Sequence, residues 1–286
     1  MKSGVVALVG RPNVGKSTLL NQLLQHKVSI TSPKPQTTRF PIQAVYEDER
    51  GQIVFIDTPG IYGKAPDILS KKINASVGEA LDQNIDVVVY IIDRTRSRDT
   101  EENKMLGIVR KIPTDKLLVI NKTDIKSPDF WPDYAFYKDE FEEIVEISAL
   151  KRHNFNLLLN AIFKHLPERE PLVDTKTLVQ PGLNLNSTLF VEELIREKVF
   201  LFTHDELPYT IMIKVHQLEK RKNGVVYVKA DIVTSADRYK KMLIGSGGYM
   251  IKKISMAARK ELEQAANAQV YMDLNVVVNS HWMDTL

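Results

Sequence analysis

The chain contains no cysteine, which excludes a disulfide framework and any thiolate metal site. Its six histidines are scattered, without the spacing of metal ligands. Long apolar stretches are missing too. The longest, Val87-Val88-Val89-Tyr90-Ile91-Ile92, is far too short to span a bilayer. A strong excess of either charge is also absent. The formal net charge is only +3, so global charge barely argues for a nucleic-acid partner and local clustering must carry that case. No leader pattern precedes the first motif, which begins at residue 10, and the expectation is an intracellular protein. What remains is ordinary globular material: 286 residues, 43% hydrophobic and 26% charged, a length that suggests two domains.

One stretch organises the rest. Gly10-Arg11-Pro12-Asn13-Val14-Gly15-Lys16-Ser17 fits the phosphate-loop pattern G-x-x-x-x-G-K-[ST]. The glycines let successive backbone N–H groups point into one concavity, an anion nest. Lys16 supplies a point charge for the outer phosphates, and the Ser17 hydroxyl can ligate Mg²⁺. The run Val5 to Val9 reads as a buried parallel strand. Thr18 to Leu24 reads as a helix whose N-terminal end faces the phosphates.

Further along, Ser32 to Arg39 carries two prolines and is a loop. Ile42 to Glu47 and Gln52 to Ile56 form a hairpin across Asp48-Glu49-Arg50-Gly51. The second strand ends in Asp57-Thr58-Pro59-Gly60. Beside a phosphate loop, Asp57 can hold the Mg²⁺ shell, and Gly60 lets a backbone N–H approach a γ-phosphate. Pro66 to Gln83 reads as a helix, Asp86 to Asp93 as a strand, Thr100 to Lys111 as a helix and Lys116 to Ile120 as a strand. That strand runs into Asn121-Lys122-Thr123-Asp124. A carboxylate at Asp124 can accept from both N1–H and N2–H₂ of guanine, an edge adenine lacks, and a mismatched base leaves buried groups unpaired. Ile144 to Ile147 is a last strand leading into Ser148-Ala149-Leu150, and Asn154 to Leu166 a closing helix. The alternation specifies a doubly wound, mostly parallel α/β sheet with its ligand at the C-terminal strand ends.

The set GRPNVGKS, QTTR, DTPG, NKTD and SAL resembles the Era family of translation-factor-like GTPases. The resemblance implies a GTP site of Gly10 to Thr18 (Gly10, Arg11, Pro12, Asn13, Val14, Gly15, Lys16, Ser17 and Thr18), Asp57 to Ile61 (Asp57, Thr58, Pro59, Gly60 and Ile61), Asn121 to Asp124 and Ser148 to Leu150. It implies that Lys16, Thr38 and Gly60 serve the reaction, and that Mg²⁺ is held by Ser17, Thr38 and Asp57, with Thr37 beside them. The Ala149 N–H would meet the guanine carbonyl. Signalling GTPases carry a glutamine after D-x-x-G to orient water. Ile61 stands there in this chain, and an aliphatic side chain cannot hold a nucleophile by hydrogen bonding. Several relatives use K⁺ instead, held partly by the loop asparagine, which here is Asn13.

Pro167 to Pro171 closes the first domain, and a turn-rich stretch without periodicity follows. The expected division is a GTPase domain over 1–166, a linker over 167–185 and a second domain over 186–286. In the second domain, Val191, Ile195, Val199 and Phe202 share a helical face. Ile211, Ile213 and Val215 alternate with polar residues as a strand. Asn223-Gly224 is a tight hairpin signal before the returning strand Val225 to Thr234. Arg238 to Leu243 is a short helix, and a longer one ends near Ala266 with Ile251, Ile254, Ala258 and Leu262 inward. Val270 to Val278 closes the sheet. Between the helices lies Ile244-Gly245-Ser246-Gly247-Gly248. This α-β-β-α-α-β order with a G-x-x-G loop resembles a small α+β type II KH domain, in which glycines without Cβ atoms let a single-stranded RNA backbone approach.

That resemblance implies RNA contacts at Gly245, Ser246, Gly247, Gly248, Lys252 and Lys253. Arg238, Lys240 and Lys241 flank the loop, yet the domain carries only 14 Lys and Arg against 12 Asp and Glu, so its positive charge is focused rather than broad. The loop interior Ser246-Gly247 lacks the lysine such loops often carry. The chain runs only four residues past Trp282, so a C-terminal helical tail is expected to be short or absent. Over nearly its whole length the chain thus resembles an Era-type GTPase. The resemblance implies a cytoplasmic, monomeric GTP hydrolase that binds GTP and GDP, the 3′ end of 16S rRNA and the small ribosomal subunit, and that assists subunit assembly. It leaves open a weak peripheral association with the inner face of the cell membrane. The rival readings are a GTP-regulated RNA-binding switch and a cell-cycle signalling GTPase, both with incidental hydrolysis.

Overall fold

Val6 to Val9, Val87 to Ile92 and Leu117 to Ile120 have essentially no solvent exposure. Strands apolar on both faces need cover on both, which is the condition of a parallel sheet between helices. A computed structural model of the chain describes residues 1–25, 42–58, 85–174, 187–204, 207–221, 223–266 and 268–285. The expectations at Thr37, Thr38, Pro59, Gly60 and Ile61, the 66–83 helix and the stretch 175–186 lie outside them. The chain divides into two compact units, the second running Leu185–Leu286.

The first unit holds β1 (Lys2–Val9), α1 (Lys16–Leu24), β2 (Ile42–Asp48), β3 (Gly51–Asp57), β4 (Val87–Asp93), α2 (Thr100–Lys111), β5 (Asp115–Asn121), a 3₁₀ turn (Trp131–Asp139), β6 (Glu143–Glu146) and α3 (Phe155–His165). The sheet order is β2-β3-β1-β4-β5-β6. Only the β2–β3 hairpin is antiparallel; the pairs of β1 with β3 and β4, of β4 with β5 and of β5 with β6 are parallel. The chain reverses direction across the sheet between β1 and β4, and the C-terminal ends of β1, β3, β4 and β5 deliver Gly10, Asp57, Asp93 and Asn121 to one rim. One face of the sheet packs Ala7, Val9, Val88, Tyr90, Ile92, Leu118 and Ile120 against Met105, Leu106 and Val109 of α2 and Tyr134 and Tyr137 of the 3₁₀ turn. Each such aliphatic side chain contributes about 1.5–3 kcal/mol by leaving water.

The helix α2 begins where its cap dictates. The Asp99 carboxylate accepts from the Glu102 N–H at 2.9 Å. Glu101 and Glu102 sit in the first turn and Arg110 and Lys111 in the last, matching the helix dipole at both ends.

The start of the expected linker is pinned to the sheet. The Pro167 carbonyl accepts from the Ser3 N–H at 3.1 Å and the Arg169 N–H donates to the Met1 carbonyl at 3.1 Å. The Gln52 amide brackets Val173, donating to its carbonyl at 2.8 Å and accepting from its N–H at 2.9 Å. Residues 167–173 therefore behave as an edge of the first unit, because their backbone groups find partners there.

The second unit comprises α4 (Ser187–Phe202), β7 (Ile211–Lys220), β8 (Val226–Thr234), α5 (Asp237–Ile244), α6 (Tyr249–Ala266) and β9 (Val270–Val278). The sheet order is β7-β8-β9. The first pair is antiparallel and the second parallel, so the two helices between β8 and β9 form the crossover a parallel pair requires. Val191, Leu194, Ile195 and Val199 of α4, Ile254, Ala258 and Leu262 of α6, and Ile211, Ile213, Val228, Ala230 and Ile232 of the strands are buried. Phe202 and Ile251, expected inward, are half-buried at the margin of this core. Gly224 takes a φ of 84° in the β7–β8 turn, as the Asn-Gly signal requires.

The tightest backbone approach in the first unit sets a test. Gly51 has a φ of +147°, and a Cβ there would lie 1.8 Å from the Lys2 carbonyl oxygen. Both partners are backbone, so no rotamer change can relieve the clash. Gly51→Ala is expected to cost about 2 kcal/mol or more and to lower the first unit's melting midpoint by about 5 °C. An unchanged calorimetric midpoint would contradict this packing.

Candidate functional site

The phosphate loop leaves β1 at Val9 and enters α1 at Lys16. Gly15 caps the helix with φ 104° and ψ 18°. A Cβ at Gly15 would lie 2.3 Å from the Asn121 amide nitrogen, and one at Gly10 would lie 2.4 Å from the Ile91 carbonyl oxygen. The pattern thus needs its two glycines because β4 and β5 press on the loop from beneath. Asn13, at the exposed tip, takes a φ of 65°, a region asparagine enters more readily than most residues.

Lys16 is buried. Its ammonium spans the loop and donates to the carbonyls of Gly10 at 2.8 Å and Arg11 at 3.0 Å. Burial pulls its pKa down to about 8, against the pull of the Asp57 and Glu102 carboxylates. Ser17 Oγ donates to Asp57 Oδ2 at 2.8 Å, and Asp57 is fully buried. A hydroxyl and a carboxylate brought together, both oxygen donors, fit Mg²⁺, which takes few protein ligands and keeps its waters. Thr18 lies half-buried in the first turn of α1. Thr58 braces the strand ends, since its hydroxyl donates to the Leu8 carbonyl at 2.8 Å.

The segment Asn121-Lys122-Thr123-Asp124, where the sequence predicts base reading, is cross-braced. Asn121 is buried; its amide donates to the Val14 carbonyl at 2.7 Å, and its carbonyl accepts from the Ala149 N–H at 2.9 Å. The Ala149 N–H, expected to meet a guanine carbonyl, is therefore already bonded to Asn121. Lys122 has a φ of 64°, costly for a lysine, and pairs with the buried Asp93 at 2.6 Å. The Thr123 N–H donates to the Ile147 carbonyl at 3.2 Å. Ser148 Oγ donates to Asp124 Oδ1 at 2.6 Å and accepts from the Lys151 N–H at 3.1 Å. The hydroxyl thus orients an exposed carboxylate. Leu150 is exposed.

Sequence reasoning missed the roles of three groups here. Asp93 ends an apolar strand in register with Asn121; a polar residue closing a buried strand was a legible signal. Arg96 donates to the Pro12 carbonyl at 3.1 Å. Arg11, expected among the nucleotide contacts, has a fully buried side chain paired with Glu102 and Asp99. No local pattern announces either arginine's partner.

In the second unit, the G-x-x-G loop joins α5 to α6 through a short 3₁₀ turn. Gly245, Gly247 and Gly248 have φ values of 72°, 57° and 78°. Ser246 and Gly247 are exposed, and a Cβ at Gly247 or Gly248 would meet nothing within 4 Å. The backbone is thus open to a ligand on that side. Lys252 and Lys253 are exposed on the first turn of α6, with the Lys253 ammonium 4.5 Å from the Phe202 ring centroid. The Arg238 guanidinium stacks 4.5 Å from the Tyr239 ring centroid. Two neighbours of the loop escaped the sequence reading: Tyr249 and Met242, 66% and 52% exposed. A flat exposed aromatic next to a glycine loop offers a base a surface to stack on.

The Lys16 environment predicts a pH dependence. Phosphate oxyanions beside the ammonium would raise its pKa above the free value of about 8. Nucleotide affinity is then full below pH 8 and falls by up to tenfold per unit above it, until the bound-state pKa is reached. Calorimetry in buffers of different ionisation enthalpy should detect proton uptake on binding near pH 8.5 and none at pH 6.5. Equal proton release or uptake at both would contradict it.

Comparison with known proteins accounts for this geometry. A family model described as 50S ribosome-binding GTPase matches residues 5–122, and a KH domain model matches residues 206–283. The chain is 36% identical to GTPase Era of Halothermothrix orenii, covering 99% of this chain and 95% of that one. It is 38% identical to GTPase Era of Trichlorobacter lovleyi, at 99% and 94% coverage. Among solved structures it is similar to a variant of Aquifex aeolicus Era bound to GDP and aluminium fluoride, with a TM-score of 0.90, 36% identity and coverage of 99% and 96%. It is similar also to Era in complex with MgGDPNP and nucleotides 1506–1542 of 16S ribosomal RNA, with a TM-score of 0.89, 36% identity and coverage of 99% and 95%. With a phosphate loop braced by Asn121 and a glycine loop at the head of α6 in one chain, and relatives matched along both units, this protein belongs to the Era family of GTPases.

Proposed function

We propose that this GTPase couples the state of its nucleotide to binding of the 3′ end of 16S rRNA by its second unit, and that it assists small-subunit assembly as a cytoplasmic monomer. The observation that carries the reading is the open G-x-x-G turn, with three glycines at positive φ and exposed lysines on the adjacent helical turn. Likeness to an Era held with MgGDPNP and 16S rRNA nucleotides supports the choice of RNA. Among the described residues no helix is long and apolar enough to cross a membrane.

At the nucleotide, Asp124 oriented by Ser148 takes the guanine N1–H and N2–H₂ edge. The loop N–H groups and Lys16 hold the phosphates. Lys16 exchanges two carbonyl partners for phosphate oxygens, so its donors are satisfied before and after binding. Ser17, Asp57 and, outside the described residues, Thr38 would hold Mg²⁺, which would supply positive charge to the phosphates. Gly60 offers its N–H to the γ-phosphate. Ile61 cannot orient water by hydrogen bonding; Asn13 would hold K⁺, which would add positive charge beside the phosphates.

Two measurements test the proposal. Titration of an RNA matching the 16S 3′ end, with the non-hydrolysable analogue GDPNP or with GDP, is expected to show tighter binding with GDPNP. Gly248→Asp places a negative side chain at φ +78° against the RNA phosphates. It is expected to reduce RNA affinity at least tenfold with GTP affinity unchanged. Binding that ignores both nucleotide and substitution would remove the coupling. For the cation, GTP turnover is expected to be several-fold faster in K⁺ than in Na⁺ at equal ionic strength, and Asn13→Ala is expected to abolish that difference. Equal rates in the two salts would sink the K⁺ assignment and leave the rest standing.

A further inference from the structure

Arg11 occupies one of the free positions of the G-x-x-x-x-G-K-S pattern, where exposure is the ordinary state of an arginine. Its side chain is instead fully buried. Nε lies 2.5 Å from a Glu102 carboxylate oxygen. Nη1 donates to Asp99 Oδ2 at 2.8 Å and to the Ser97 carbonyl at 3.2 Å. Nη2 donates to the Tyr134 hydroxyl at 2.8 Å. These partners come from the N-terminal turn of α2, the segment before it and the 3₁₀ turn, so one guanidinium ties together three pieces of chain.

The network then returns to the loop. The Tyr134 hydroxyl donates to the Arg96 carbonyl at 2.8 Å, and the Arg96 guanidinium donates to the Pro12 carbonyl at 3.1 Å. Arg11 and its successor Pro12 are thus held from two sides by one connected set of bonds. Behind it, Glu102 is fully buried and accepts from the Tyr90 hydroxyl, which lies 3.4 Å from that of Tyr137. Burial pushes the Glu102 carboxyl up, and the Arg11 guanidinium is the foremost group pulling against it.

A buried ion pair of this kind is a poor source of stability, because desolvation of both charges consumes most of their attraction. What it supplies is geometry. A planar guanidinium whose two Nη groups donate to fixed acceptors, and whose Nε is held against Glu102 by charge alone, leaves its own backbone little freedom. The later half of the loop, Gly15 to Ser17, is anchored independently by Asn121 beneath Gly15 and by the start of α1.

We propose that Arg11 is a positioning residue of the GTPase reaction: through Glu102, Asp99 and Tyr134 it fixes the Pro12–Asn13 half of the phosphate loop, and this rests on the function proposed above, which sets a cation beside Asn13. It makes no side-chain contact with the nucleotide. Retention of GDP depends on the base segment and the Gly15–Ser17 half, which meets Arg11 only through its backbone carbonyl, bonded to Lys16, and not through its side chain. Turnover depends on both halves.

The test uses the full-length chain. Arg11→Met keeps most of the volume and removes every donor. It is expected to lower turnover at saturating GTP at least tenfold while changing GDP affinity less than threefold. Glu102→Gln keeps the shape and alters the foremost partner; it is expected to reproduce part of the turnover loss, and to add little in the Arg11→Met background, because the two residues act through one contact. GDP affinity falling by the same factor as turnover would make Arg11 a direct ligand and overturn the proposal. A lowered melting point with kcat and KM both unchanged would make it a packing residue and overturn it equally. If Arg11→Met does not fold, Glu102→Gln decides alone: an unchanged kcat there rejects the positioning role, and a reduced kcat with GDP affinity kept supports it.

Discussion

The carboxamide of Asn121 is divided between two segments that the sequence keeps far apart. Its amide holds the Val14 carbonyl and its carbonyl holds the Ala149 N–H. The same side chain lies where a Cβ on Gly15 would need to be. Phosphate loop, base-reading strand and closing turn therefore share one buried polar group. Each bond is individually modest, but leaving either partner unmet in the interior costs about 1–3 kcal/mol. The phosphate loop and the 148–150 turn cannot move independently while that amide is in place. Lys122 and Asp93 repeat the logic one residue later, and Ser148 extends it to the Asp124 carboxylate.

Electrostatics follow from that closed arrangement. Lys16 sits in the low-dielectric floor of the site, and its donors are met by two loop carbonyls. The loop is thus curled around a cation before any anion arrives, so little rearrangement accompanies binding. The hydrogen bond from Ser17 to Asp57 likewise brings two oxygen donors together in advance.

Much of this was legible in the sequence, for identifiable reasons. The strands β1 and β5 are apolar and run into motif residues, so their ends were marked. The helix Thr100–Lys111 falls at its expected bounds because Asp99 caps it and Met105, Leu106 and Val109 keep period. The strand Val270–Val278 and the Asn223-Gly224 turn were legible for the same local reasons. What escaped reading depends on partners distant in the chain. The 3₁₀ turn Trp131–Asp139 has no periodicity, yet it supplies Tyr134 and Tyr137 to the core. Arg11 looks like a surface residue until Glu102 and Tyr134, both far along the chain, are folded around it. The pinning of 167–173 likewise depends on the Gln52 amide, whose orientation no local pattern specifies.

The order of these partners along the chain has a consequence for synthesis on the ribosome. The phosphate loop emerges well before its supports, which lie at Ile91, Glu102, Asn121, Tyr134 and Ala149. At about 5–20 residues per second, the loop waits on the order of ten seconds for the last of them. Until then its glycines and its buried arginine have nothing to pack against, and the nascent chain holds no formed nucleotide site. Once Ala149 has left the exit tunnel the site closes, while the RNA-binding unit, which begins near residue 185, is still being made. Each molecule thus acquires its nucleotide site before the KH unit that carries the glycine loop is complete.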